Sequence, residues 1–303
     1  MKKQIILTII ALLTISVSAM ADVTFSEELV KQAQAGDAEA QYQLGKCYYK
    51  GNGILQDYNQ AFYWFSKSAE QGNSSGQNGV GLCYKEGHGV TQDISKALEW
   101  YQKSAEQGNA AAQNNIGACY YNGQGVTQNY YKAVEWYSKA AAKGYAMAQD
   151  NLGVCYHYGK GVSKDYNKAV EWYIKAANQG YANAQCNLGY CYLYGLGVKK
   201  DNKQAVEWYR KSAEQGNASA QFSLAYCYQN GLGVKKDNKQ AVELFRKSAE
   251  QGYALAQNSL GVCYEKGIVV AKDISQAIDW YRKASRQGNQ TAKNNLSRLG
   301  YNW

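Results

Sequence analysis

The sequence predicts an all-α fold, a linear array of helix–turn–helix repeats, and three observations predict it. Seven cysteines, Cys47, Cys83, Cys119, Cys155, Cys191, Cys227 and Cys263, recur every 36 residues without a slip. Each lies in a Gly-x-Cys-Tyr setting, with Ala225 replacing the glycine once. Each of the first six is followed by a Gly-x-Gly break and, about 17 residues on, each of the seven usually by Trp-Tyr. A fixed period of this length marks stacked units that bury their faces only against neighbours. The 303 residues are therefore expected to form one elongated array and not two domains.

Residues 1–21 read as a signal peptide. Lys2 and Lys3 precede an apolar run from Ile5 to Val17, and Ala19-Met20-Ala21 is a small-x-small cleavage site. The run is too short to span a bilayer. Cleavage after Ala21 would leave a chain without a transmembrane segment, either periplasmic or secreted. Cys47 lies too far beyond the cut for an acyl anchor. Residues 22–35 form an N-terminal capping helix, because Phe25, Glu27, Leu29 and Lys31 sit one period before Ala61, Tyr63, Phe65 and Lys67. Thr24 with Glu27 is the expected capping box.

Seven tandem repeats fill 36–287, opening at Gly36, Gly72, Gly108, Gly144, Gly180, Gly216 and Gly252. In the fourth, Ala148, Leu152, Cys155 and Tyr156 mark one face of a first helix. Ala169, Trp172, Tyr173, Ala176 and Ala177 mark a fuller amphipathic stripe on a second helix. The Trp-Tyr stripe is read as core between neighbouring repeats. Asp57, Asp93, Asp165, Asp201, Asp237 and Asp273 stand where a second helix needs an N-cap, and the glycine opening each repeat stands where a helix end needs a left-handed residue. Glycine inside the first helix costs roughly 1 kcal/mol against alanine. Its return at Gly45, Gly81, Gly117, Gly153, Gly189 and Gly261 therefore points to close helix approach. Glu99 with Lys103, Glu171 with Lys175, Glu243 with Lys247 and Asp279 with Lys283 are spaced as exposed ion pairs. Residues 288–303 repeat the first helix with polar Lys293 and Arg298, as a C-terminal capping half repeat.

Segments such as Ala182-Asn183-Ala184-Gln185-Cys186-Asn187-Leu188-Gly189, running through Tyr194-Gly195-Leu196-Gly197-Val198 to Ala205-Val206-Glu207-Trp208-Tyr209, resemble Sel1-like repeats, 36-residue relatives of tetratricopeptide repeats. The resemblance covers 36 to about 296. It implies a right-handed α-solenoid of helix–turn–helix units that scaffolds protein complexes, with each first helix on the concave side. The proline usual in the loop is absent, and Gly267-Ile268-Val269 lacks the second glycine, so a differently shaped last loop is expected.

The formal charge of +9 suits nucleic acid in a cytosolic protein, but export removes that partner. Lys199, Lys200 and Lys203, like Lys235, Lys236 and Lys239, read as solvated loop edges. Eight cysteines in an exported chain would ordinarily make disulfides. Equivalent positions on stacked helices, however, lie roughly 8–10 Å apart, whereas a bridge needs Cα atoms within about 7 Å. The row is thus read as small buried hydrophobes. Cysteine-rich members of the family pair two cysteines per repeat, a pair this chain lacks, and Cys186 lies outside the row. His88 and His157 occupy different repeat positions without ligand spacing, so no metal or cofactor is expected. Some cysteine-rich relatives bind penicillins. A β-lactam- or peptidoglycan-fragment-binding or β-lactamase-like protein is accordingly the alternative, although no Ser-x-x-Lys occurs. The preferred reading is non-catalytic: a protein or peptide bound along the concave face by Tyr158, Tyr190, Tyr194 and Tyr226 beside Asn151 and Asn187.

Overall fold

The structure, a computed structural model, describes residues 23–302; the expected signal peptide lies outside the described residues. Among these, sixteen elements are helices and none is a strand. The chain divides into two compact bodies, Met1–Asn129 and Tyr130–Trp303. The first holds α1 (Glu27–Gln34), α2 (Ala38–Lys50), α3 (Tyr58–Glu70), α4 (Ser74–Glu86), α5 (Ile94–Glu106) and α6 (Ala110–Asn122). The second holds α7 (Tyr130–Ala142), α8 (Ala146–Tyr158), α9 (Tyr166–Asn178), α10 (Ala182–Tyr194) and α11 (Asn202–Glu214). It continues through α12 (Ala218–Asn230), α13 (Asn238–Glu250), α14 (Ala254–Lys266), α15 (Ile274–Arg286) and α16 (Gln290–Arg298). Within each body, every helix packs on the next in sequence. This is the solenoid arrangement that the period requires.

Local signals set the helix boundaries. Asp57, Asp93, Asp165, Asp201, Asp237 and Asp273 are extended N-caps whose carboxylates accept backbone N–H groups of the first turn, which satisfies donors a helix start leaves open. At α1 the cap is Ser26, whose Oγ accepts from Leu29 N at 3.2 Å. The expected Thr24–Glu27 box is therefore corrected, because Glu27 is already the first helical residue. Leu29 and Ala33 of α1 are buried one period before Phe65 and Ala69, so α1 covers the face of α2 as a second helix would.

The first helices end on a left-handed glycine, as at Gly159 (φ 68°) and Gly195 (φ 72°). The second glycine of the loop is left-handed for a further reason. A Cβ on Gly161 would strike the Tyr130 carbonyl, and one on Gly197 the Tyr166 carbonyl. The loop is thus pressed onto the preceding second helix. The last loop does not take a different shape, as its sequence had led us to expect: Val269 adopts φ 66° in the glycine's place. That conformation costs a β-branched residue roughly 1–2 kcal/mol.

The helical glycines are explained by contact. A Cβ on Gly153 would lie 2.6 Å from the Tyr173 ring, on Gly81 2.6 Å from Tyr101, and on Gly261 2.7 Å from Tyr281. Each core aromatic lies flat on a bare stretch of first helix. It is the tyrosine of Trp-Tyr that fills the core: Tyr173 is 2% exposed, whereas Trp172 is only half-buried. The expectation that tryptophan is core is therefore corrected. Tryptophans pack at the seam, Trp64 and Trp208 each against the cluster that joins the first helix of its own repeat to the second helix before it.

The tryptophans also claim the lysines. Lys175 Nζ lies 4.0 Å from the Trp172 centroid, Lys283 4.0 Å from Trp280 and Lys103 4.4 Å from Trp100. The pairs expected with Glu171, Asp279 and Glu99 are replaced by cation–π contacts. Lys247, where Leu244 stands for tryptophan, meets Glu243 at 2.9 Å, and Lys139 meets both Glu135 at 2.7 Å and the Trp136 ring at 4.3 Å. All seven cysteines of the row are buried. Cys47 Sγ donates to the Val23 carbonyl at 3.3 Å, while Cys83, Cys119, Cys155, Cys191, Cys227 and Cys263, like Cys186, are unbridged thiols.

A buried polar ladder that the sequence reading missed joins neighbours. Gln185 donates Nε2 to the Ala177 carbonyl at 3.3 Å and accepts from Gln215 Nε2 at 2.8 Å. Gln41, Gln221 and Gln257 repeat this pattern. Hydroxyls extend it, with Ser212 Oγ donating to the Ala182 carbonyl at 2.7 Å and Ser248 Oγ to Ala218 at 2.7 Å. A buried amide left without partners is costly, so these residues fix the register of each second helix against its own first helix and the helix before it.

Candidate functional site

In the second body, first helices α8, α10 and α12 present positions four apart on one face. Three columns result: Asp150, Val154 and Tyr158 on α8; Cys186, Tyr190 and Tyr194 on α10; Phe222, Tyr226 and Asn230 on α12. The four predicted tyrosines are all substantially exposed, from 41% at Tyr226 to 63% at Tyr158. Tyr190 and Tyr194 are in ring contact, with centroids 4.6 Å apart.

Two cavities lie beneath them. One, of about 300 Å³, is lined by Tyr158, Tyr190, His157, Asn187, Ser219 and Ser223, with Tyr173 and Tyr209 deeper. The other, of about 420 Å³, is lined by Tyr190, Tyr194, Tyr226, Phe222, Tyr253 and Leu255. Tyr190 borders both, so the structure joins all four tyrosines through one side chain. Asn187 belongs to the first cavity. Asn151 lines neither of them and is half-buried on α8.

Asn187 does not offer a free amide. Its Nδ2 donates to Asp150 Oδ1 at 2.8 Å, and Asp150 is only 5% exposed. Burial pushes the Asp150 carboxyl up to about 6, against a partial downward pull from the Asn187 hydrogen bond. His157 packs among aromatic rings, 4.7 Å from Tyr158 and 6.0 Å from Tyr190, and its Nδ1 is buried without a partner. Desolvation first, and then the Lys164 charge, hold its pKa below the ordinary histidine value, so the ring is neutral near pH 7. Burial pushes the Cys186 thiol up to about 11. With Sγ 3.7 Å from Ser219 Oγ, it is a protonated, inert group.

Asp150, Ser219, Ser223, Phe222, Tyr253 and Leu255 were not singled out from sequence, and His157 was weighed there only as a metal ligand. One signal was available for Asp150: the repeat places Asn78, Asn114 and Asn258 at the same position. The others depended on knowing which side chains of three separate helices converge. Among the described residues no group of three His, Cys, Asp or Glu side chains is arranged to hold a metal ion, and no helix is long and apolar enough to cross a membrane. What the site offers is a groove of aromatic faces and neutral hydroxyls, suited to binding.

The Sel1 repeat model matches seven consecutive stretches, 38–73, 74–109, 110–145, 146–181, 182–217, 218–253 and 254–289. A comparison with curated protein sequences finds no match. Among solved structures, the chain is similar to a protective antigen present in uropathogenic Escherichia coli strains and displaying an SLR fold. That likeness has 42% identity and a TM-score of 0.67, over 90% of this chain and 58% of that one. The chain thus spans well under two thirds of that relative. It is also similar to a Sel1 repeat protein from Oxalobacter formigenes, at 35% identity and a TM-score of 0.70, over 80% of this chain and 96% of that one. An immunity protein from Pseudomonas aeruginosa is more distant, at 25% identity and a TM-score of 0.51, over 70% and 81%. With seven matched repeats and the helix pairs to build them, this chain belongs to the Sel1 repeat family.

Proposed function

We propose that this protein is an exported, non-catalytic scaffold that binds an extended segment of a protein partner along the first-helix face of repeats four to six. Sel1 repeats commonly serve as protein-interaction scaffolds, and the amino-terminal pattern of basic residues, apolar run and Ala19-Met20-Ala21 supports export to the periplasm or beyond. One observation carries the choice of face: Tyr158, Tyr190, Tyr194 and Tyr226 stand exposed in a row over two adjoining cavities. Large aromatic side chains left in water at such a place serve as anchors for a partner, because they bury much area at little conformational cost. Asn151, half-buried on α8, would add a polar group at the edge of this face.

The double substitution Tyr190→Ala with Tyr226→Ala tests this. Capture of partners from an envelope extract, followed by titration of the captured protein, should show binding weakened more than about tenfold with helicity intact by circular dichroism. Unchanged binding with a lowered melting temperature would make these tyrosines seam packing. Nitrocefin hydrolysis by the purified protein would replace this reading with an enzymatic one.

A further inference from the structure

The repeat supplies its own control for the groove. An amide donating to the side chain 37 residues earlier recurs as Asn115 to Asn78 and as Asn295 to Asn258, both at 3.0 Å. Repeat four makes the same bond, from Asn187, with Asp150 in place of asparagine. An amide there completes the ladder equally well, so the ladder does not need a carboxylate. Asp150 receives that one side-chain hydrogen bond, and among the described residues no lysine or arginine nitrogen lies within 4.0 Å of it. A buried carboxylate without a cation weakens the fold. Departures of this kind from local consistency are expected where a residue serves something outside the fold.

The surroundings say what that is. An ionised carboxylate only accepts, so it commits Asn187 Nδ2 and leaves Asn187 Oδ1 as the acceptor this side chain offers to the cavity it lines. The cavity walls are the rings of Tyr158, Tyr190, Tyr173 and Tyr209, whose faces attract cations. His157 is neutral, no lysine or arginine lines the cavity, and the nearby Lys164 is turned onto the Tyr166 ring at 4.6 Å. Along the groove the polarity then falls. The column runs Asp150, Cys186, Phe222, and the second cavity gathers Leu193, Phe222 and Leu255.

We propose that the groove selects a basic–apolar segment: a lysine or arginine side chain enters the cavity backed by the Asn187–Asp150 pair, and a large apolar side chain enters the chamber bordered by Phe222 and Leu255. This rests on the reading that the first-helix face binds an extended polypeptide. It also gives a chain of formal charge +9 a local reason to bind a segment of its own sign.

The test is selection from a random heptapeptide display library on the purified protein, in parallel with Asp150→Asn, a variant that keeps the ladder bond. Peptides bound by the unsubstituted protein should be enriched about tenfold in lysine or arginine near an apolar residue, the scale of one cation–π contact with ionic support. The enrichment in basic residues should vanish on Asp150→Asn while the apolar preference remains. Selection of neutral or acidic peptides, or a basic preference that survives Asp150→Asn, overturns the proposal and leaves peptide binding standing. Failure to enrich any peptide over the bare support overturns both.

Discussion

Asp150→Asn should stabilise this protein, and the gain should depend on pH in a defined direction. Burial raises the Asp150 pKa from the ordinary 3.8 to about 6. At 1.36 kcal/mol per pH unit, that difference corresponds to about 3 kcal/mol. The folded state binds the proton more tightly than the unfolded chain. Below about pH 3 both states hold it and the penalty is absent; it grows as pH rises through 3.8 and is complete once pH has risen past about 6, where the folded state must carry a buried charge. The groups facing Asp150 are Asn187, Tyr173, Tyr181 and Cys186, none of them cationic. Asparagine removes the charge and retains the bond from Asn187, as Asn258 does with Asn295. Urea unfolding of both proteins at pH 3 and pH 7.5 should show a difference near zero in the acid and about 2–3 kcal/mol in favour of the variant at the higher pH. A pH-independent difference, or a variant less stable at pH 7.5, would show that Asp150 is solvated or paired and would remove the basis for a cation-selective groove.

Further expectations follow from packing. Tyr173→Ala should cost about 3–5 kcal/mol as a large-to-small change in the core, and half-buried Trp172→Ala about 1–2 kcal/mol; equal losses in parallel denaturant melts would contradict the division between core and seam. Gln185→Ala should cost about 1–2 kcal/mol by removing two buried side-chain bonds, although the Ala177 carbonyl keeps the Gly180 N–H and the Gln215 amide keeps the Lys211 carbonyl; a melt within error of the parent would mean that these second partners carry the ladder. Val269→Gly should raise stability by about 1 kcal/mol through release of a strained left-handed backbone, read as a higher unfolding midpoint with an unchanged slope. A lower midpoint would show that the valine side chain, rather than the backbone angle, governs the loop.

The sequence determined the repeat, the helix pair within it and the caps, because these depend on neighbours in the chain: an aspartate before a helix, a glycine after one, an apolar spacing of three and four. It also placed Tyr158, Tyr190, Tyr194 and Tyr226 on one face, since a strict 36-residue period makes equivalent positions equivalent in space. Other outcomes were decided only by tertiary structure. Whether the tryptophan or the tyrosine of Trp-Tyr entered the core depended on which ring could lie on the bare helix at Gly153. Whether Lys175 met Glu171 or Trp172 was open to the sequence, which spaces both within reach; in the fold the lysine settles 4.0 Å from the Trp172 ring. Val269 kept the glycine conformation against its own local preference. The cavities under the tyrosines, and the unpaired carboxyl of Asp150 behind them, arise where α8, α10 and α12 converge. A period can state that those helices are equivalent; only their packing decides how much space lies between them and which side chains are left facing it.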